Sequence, residues 1–216
     1  MSLELSGTTG VKGVAGSVSA PSIVGDDTNT GISFPSADTI KFSTGGVERM
    51  SITNSGVSGI TAGITMADQW RITSTFNVSS SAYITSNWER NDSPGYGKIG
   101  TGMSESSGLF SFPETGIYLV GISLTGNSDG GQFNYVACDI ETTLNNSSFT
   151  GVGATYQSVS NNNEHWHMET KILFDVTDIS THKVKFLVYA TNTRPMVFGS
   201  SAHNATFAYF TRLGDT

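Results

Sequence analysis

Charge is scarce and cysteine nearly absent: 13% of the 216 residues are charged, and Cys138 is alone. A lone cysteine excludes an internal disulfide and a thiolate zinc cluster, so neither holds the fold together. Lys and Arg number 11 against 18 Asp and Glu, for a formal net charge of −7. That balance offers no basic groove to displace counterions, so nucleic acid is not an expected partner. No run of like charge exceeds Asp26-Asp27, which leaves no charged interaction tail. The opening MSLELSGTTGVKGVAGSVSAPS lacks the continuous apolar run of a signal peptide, and nothing later approaches the length of a membrane span. The expectation is a product of the cytoplasm that is not inserted in a membrane.

What the chain has instead is Ser, Thr, Asn and Gly, 96 of the 216 residues. The first three compete for backbone hydrogen bonds and Gly is costly in a helix, so turns and β-ladders are favoured. Residues 1–25 are small and polar, with Gly7, Gly10, Gly13 and Gly16. They cannot bury enough apolar surface to offset their ordering entropy, and read as a flexible attachment segment.

Residues 26–64 hold a degenerate repeat of short period-2 strands. Ile32 and Phe34 are followed by Ile40 and Phe42, then Met50 and Ile52, then Val57 and Ile60. Pro35-Ser36-Ala37-Asp38, Gly45-Gly46 and Asn54-Ser55-Gly56 separate them. A strand with two apolar side chains makes no core alone. Three copies around an axis do, which predicts a short intertwined β-shaft.

From residue 65 to 216 the spacing predicts ten strands: 69–76, 82–88, 97–103, 109–112, 117–124, 133–142, 151–159, 165–176, 183–190 and 205–213. Short strands joined by Gly-, Asn- and Ser-rich loops suit a two-sheet jelly-roll sandwich. At its centre is GLFSFPETGIYLV, Gly108–Val120, where Pro113 presets a turn and Gly116 tolerates positive φ. Tyr118, Val120, Ile122 and Leu124 share one face of the strand after it, with Ile117 and Leu119 opposite. On the last strand Phe207, Tyr209 and Leu213 share one face, with Ala208 and Phe210 on the other. An outer face should be polar, so apolar side chains on both faces predict cover, either by neighbouring subunits or by long loops.

Two resemblances bear on these segments. GLFSFPETGIYLV, with FDVTDISTHKVKFLV and ATFAYFTRL, resembles the complement component 1q and tumour necrosis factor superfamily of trimeric jelly-roll heads. The run DTNTGISFPSADTIKFSTGGVERMSI resembles the shaft segments of bacteriophage tail and head fibres. Together they imply a homotrimeric virion fibre. The N-terminal segment would join other virion structural proteins, and the head would bind a host cell-surface glycan or protein by multivalent adhesion. A purely structural head-decorating fibre and a carbohydrate-binding or depolymerase module remain open.

The motifs that carry chemistry are few. Gly95-Tyr96-Gly97-Lys98-Ile99-Gly100 matches the dinucleotide pattern, but no helix follows to hold a pyrophosphate, so it reads as a loop. His165 and His167 share one strand face; they could share a metal, or simply lie on the polar side of a strand whose Trp166, Met168, Ile172 and Phe174 face the core. Glu89, Asp92, Glu105 and Glu114 form no defensible catalytic pair, and no nucleophile elbow exists, so an enzyme is not expected. Cys138, beside Val136 and Ile140, reads as buried and inert. Asp129 and Asn161-Asn162-Asn163-Glu164 supply oxygens without the order of a calcium loop. Asn77-Val78-Ser79, Asn146-Ser147-Ser148 and Asn204-Ala205-Thr206 match the glycosylation pattern at the frequency chance provides. No cofactor and no metal is expected. Candidate contact residues lie in loops 87–98, 126–132 and 158–164: Trp88, Glu89, Asn91, Asp92, Tyr96, Asn127, Asp129, Asn161, Asn162 and Asn163. Trp88 offers a ring flanked by polar groups, as sugar binding favours, or else fills the sandwich core at a strand end.

Overall fold

Period-2 alternation and abundant turn residues produce an all-β chain. The computed structural model describes residues 4–6, 10–12, 15–59, 63–78, 81–191 and 195–216. Gly7, Gly13, Ile60 and Ser79, named above, lie outside the described residues. The chain divides into two compact units, 1–62 and 63–216.

In the first unit β1 (Glu4–Ser6) pairs with β2 (Gly10–Lys12). A separate five-stranded antiparallel meander runs through β3 (Ile23–Val24), β4 (Gly31–Ser33), β5 (Ile40–Thr44), β6 (Val47–Thr53) and β7 (Gly56–Ser58). Its strands pair within the chain. Gly45 and Gly46, at φ +59 and +74, make the two-residue turn from Thr44 to Val47 whose left-handed backbone matches strand twist. Part of the segment read as an arm is tied to this sheet: the Phe34 N–H donates to the Ala15 carbonyl (2.6 Å) and the Ser22 N–H to Ile32 (2.9 Å).

Register sorts the meander into two unlike faces. Ile23, Ile32, Phe42 and Met50 form one cross-strand row, and Ile40, Ile52 and Val57 a second row on the same side. Ser33, Ser43 and Ser51 are buried, whereas no apolar side chain among the described residues of this unit is. Val57 is 59% exposed and Ile23 57%. The sheet therefore has an apolar face and no core.

The second unit contains β8 (Ala67–Ile72), β9 (Phe76–Asn77), β10 (Ala82–Tyr83), β11 (Trp88–Arg90), β12 (Ser104–Ser106), β13 (Leu109–Ser111), β14 (Gly116–Ser128), β15 (Phe133–Thr143), β16 (Thr150–Val159), β17 (His165–Val176), β18 (Lys183–Ala190), β19 (Pro195–Val197) and β20 (Phe207–Gly214). One sheet runs β11-β8-β20-β14, with β17 along the far edge of β14 and β19 and β9 continuing past β20. The other runs β12-β13-β18-β15-β16, with β10 beside β18. The chain changes sheet between β14 and β15, between β16 and β17 and between β17 and β18, while β15 and β16 pair as neighbours, a path that suits a jelly roll.

Between them lies an aromatic core centred on Phe110, which is fully buried. Its ring lies 5.0 Å from Trp88, 5.1 Å from Phe210 and 5.7 Å from both Trp70 and Phe186. The contacts with Trp88, Trp70 and Phe186 are edge to face and add to the burial itself. Cys138 is buried as expected, and burial pushes its thiol well above the ordinary range.

Three expectations need correction. Thirteen strands, not ten, are present among the described residues of this unit. Residues 97–103 form a loop, because Gly100 and Gly102 adopt φ +67 and +77 and break the extended backbone. The expected strand 82–88 is broken before its end by Asn87 at φ +63. In addition, Pro113–Thr115 does not join a hairpin: β13 and β14 belong to different sheets, so the segment carries the chain across the sandwich.

That crossover is anchored by Tyr118, whose hydroxyl donates to the Glu114 carbonyl (2.8 Å). Burial, reinforced by the Glu114 carboxylate, pushes the Tyr118 phenol up to about 12 from 10.0. A folded-state pKa raised above the unfolded value gives stability that is complete below pH 10 and lost as pH rises towards 12. The urea midpoint should fall between those limits, and Tyr118→Phe should make the fall shallower; an unchanged slope in the variant contradicts this assignment.

Candidate functional site

The ends of the second unit are distinguished by where its chain begins. Arg212 N–H donates to the Met66 carbonyl (2.9 Å), and the Thr65 hydroxyl to Glu114 (3.2 Å), so the first residues sit at the Gly116 end of β14. At the opposite, Ser128 end, two of the candidate loops meet. Ser128 donates through its N–H to Glu164 (3.1 Å) and through its hydroxyl to the Asn161 carbonyl (2.8 Å), and accepts from the Asn163 N–H (3.2 Å). The Gly130 N–H donates to the Asn162 side chain (2.9 Å). The Glu164 carboxylate closes the Asn run by accepting from the Ser160 and Asn161 N–H groups. Asp129, Asn161, Asn162 and Asn163 are exposed there. Asn127 differs: it pairs with His165 and Met196, and its Oδ1 is buried without a hydrogen-bond partner.

The third loop runs along the sheet edge. Trp88, the first candidate for an exposed ring, is a core residue, packed on Phe110 and Phe186 with its Nε1–H donated to the Ile84 carbonyl (2.8 Å). Arg71 explains its neighbours. Its guanidinium is 1% exposed and is held by Glu89 (2.7 Å), Asp92 (2.7 Å), the Asn91 side-chain oxygen (3.0 Å) and the Ser93 hydroxyl (2.8 Å). Glu89, Asn91 and Asp92 are thus engaged within the chain, while Tyr96 stands 44% exposed. Nothing in the spacing of Arg71 from residues 89–93 marks this clamp; the cross-strand pair Arg71–Glu89 creates it.

The outer face of the first sheet keeps the alternation read from sequence. Tyr118, Val120, Ile122 and Leu124 are buried in the core, and Leu119 faces outward with its partners Leu173 and Thr211. Leu173 is 66% exposed and Leu213 52%, and Phe207 and Tyr209 lie beside them half-buried. Leu173 was not singled out by sequence, although Ile172-Leu173 places apolar side chains on both faces of one strand. The Tyr209 ring lies across Gly121, where a Cβ would come within 2.2 Å of it, and its hydroxyl donates to Glu169 (2.6 Å). His165 and His167 do share this face; His167 Nε2 meets the Ser123 hydroxyl (3.0 Å) and His165 packs on Phe198 (5.7 Å). Among the described residues no three His, Cys, Asp or Glu side chains are grouped to hold a metal.

No protein-family model matches the chain, and no curated protein matches it. Among solved structures, Eiger TNF from S. frugiperda superposes with a TM-score of 0.53 at 13% identity, over 69% of this chain and 93% of that one. Murine APRIL at pH 8.5 gives 0.49 at 13% identity, over 68% and 98%. PRD1 vertex protein P5 gives 0.47 at 11% identity, over 71% and 100%. The likeness to Eiger is one of fold. The second unit is a jelly roll of the tumour necrosis factor type.

The clamp on Arg71 makes a direct prediction. Removing one partner of a fully buried ion pair costs ~3–5 kcal/mol. Because Glu89 and Asp92 are partly open to water, Arg71→Met should cost about 1–2 kcal/mol locally. Amide exchange at residues 89–96 should then rise roughly tenfold while that of β14 and β17 holds. Unchanged exchange in the loop contradicts the clamp.

Proposed function

We propose that the chain is a homotrimeric virion fibre protein whose jelly-roll unit binds a host cell surface, glycan or protein, by multivalent adhesion and without catalysis. The observation that carries this reading is the meander of the first unit, whose apolar face holds Ile32, Phe42, Met50 and Ile40 half-buried and Ile52 and Val57 exposed, with none of them fully buried. A lone sheet of this kind leaves water on its apolar side, and copies of the same chain packed about an axis remove it. The outer face around Leu119, Leu173, Phe207 and Leu213 supports the same association in the second unit. The likeness of residues 27–52 to fibre shafts supports placing the assembly on a virion, with residues 1–25 joining other virion proteins.

The end carrying loops 126–132 and 158–164 suits contact with a host, because it lies opposite the residues through which the chain enters the unit. Asp129, Asn161, Asn162 and Asn163 are the side chains offered there. Three copies per fibre, and several fibres per particle, turn weak contacts into stable attachment. Labelled chain titrated onto a panel of bacterial strains should bind saturably to at least one and be displaced by unlabelled chain. Binding that saturates on none of them, or is not displaced, contradicts adhesion.

A further inference from the structure

The outer face of the second sheet carries an arrangement with no role in the core or the end loops. On β15 Ala137 is flanked across the ladder by Tyr156 of β16 and Tyr189 of β18, with Tyr135 and Asp139 two residues to either side on its own strand. Three tyrosines and one carboxylate thus surround a single small residue. The rings contact one another edge to face, with centroids 5.8 Å apart for Tyr135 and Tyr156, 6.1 Å for Tyr135 and Tyr189, and 6.2 Å for Tyr156 and Tyr189. The Tyr189 hydroxyl lies 2.9 Å from the Tyr156 hydroxyl and 3.3 Å from Asp139 Oδ1.

Tyr156 is both fixed and open. Two ring contacts and a hydroxyl contact orient it, yet it is 60% exposed. Its neighbours on the same strand face, Ala154 and Ser158, are small, so a flat ligand can approach the ring. Asp139 receives the Tyr189 hydroxyl at Oδ1, and among the described residues no ion pair engages its carboxylate. Lys185, one pair further along the ladder beside Glu141, is already held by that carboxylate (3.6 Å) and by the rings of Tyr83 (3.5 Å) and Phe149 (3.7 Å).

We propose that Tyr156, held by Tyr135 and Tyr189 beside Asp139, is a stacking platform for a neutral sugar of a cell-surface glycan. The apolar C–H face of a pyranose covers an aromatic face, and its hydroxyls donate to a carboxylate; both groups are side by side here. The charge selects the ligand. Asp139 and Glu141 lie on this face beside the engaged Lys185, so an acidic sugar meets repulsion there. Strand-borne side chains locked by their neighbours give the rigidity that a weak, repeated contact needs. The inference rests on the adhesion reading above and names both a ligand class and a surface distinct from the end loops.

The test is saturation-transfer NMR on the full chain with methyl glycosides of glucose, galactose, mannose and the N-acetylhexosamines. At least one sugar should bind saturably through the tyrosine face. Tyr156→Ala removes an exposed side chain and should weaken binding about tenfold, equivalent to ~1.4 kcal/mol. Tyr156→Phe keeps the ring and should retain binding, whereas Asp139→Asn should weaken it. Absence of saturable binding for every sugar, or undiminished binding by Tyr156→Ala, overturns the proposal. So does saturation of the same tyrosines by tetramethylammonium with the sugars silent, which would assign the site to a cation. If Tyr156→Ala still adheres to cells as the unaltered chain does, the platform fails while adhesion stands. Sugar binding without cell adhesion gives the converse.

Discussion

Strands in this protein carry apolar side chains on faces that one chain does not cover. In a half-exposed antiparallel sheet the outward positions are expected to be polar. Here the meander turns Ile32, Phe42 and Met50 to one side and only Ser33, Ser43 and Ser51 are buried, while the jelly roll fills its own core and still presents Leu119, Leu173 and Leu213 outward. Each Leu-sized side chain withdrawn from water is worth ~1.5–3 kcal/mol. The two units therefore differ in kind. The jelly roll has a core around Phe110; the meander, among its described residues, has none.

This contrast divides the labour that the proposed function requires. The core positions the long strand β14, which fixes one end of the unit near Met66 and the other at the linked loops of Ser128 and Asn161. On that proposal the outer faces are left for neighbours and ligands. Tyr209 over Gly121 and the tyrosines around Ala137 show two uses of one device, a small residue over which aromatic rings close.

Local rules made much of this legible. Gly45-Gly46 forms its turn because two adjacent residues must take positive φ, and the alternation from Tyr118 to Leu124 reads the core directly. Trp88 shows the limit: a strand-end aromatic followed by charged residues suits a surface or a core equally, and only the approach of Phe110 and Phe186 decides. Arg71 was invisible for the same reason, since its partners come from a neighbouring strand and the loop after it. The strand expected at 97–103 failed because Gly100 and Gly102, both at positive φ, outweigh the apolar Ile99 before them. The tyrosines at 135, 156 and 189 are far apart in sequence and meet only through ladder register.

The most direct measurement is the native mass of the full chain by light scattering on a sizing column. The subunit is 22.8 kDa. Burial of the apolar faces by three copies gives a mass about three times that value at micromolar concentration. A single species at the subunit mass would contradict the association on which the shaft, the covered face and multivalent adhesion all depend.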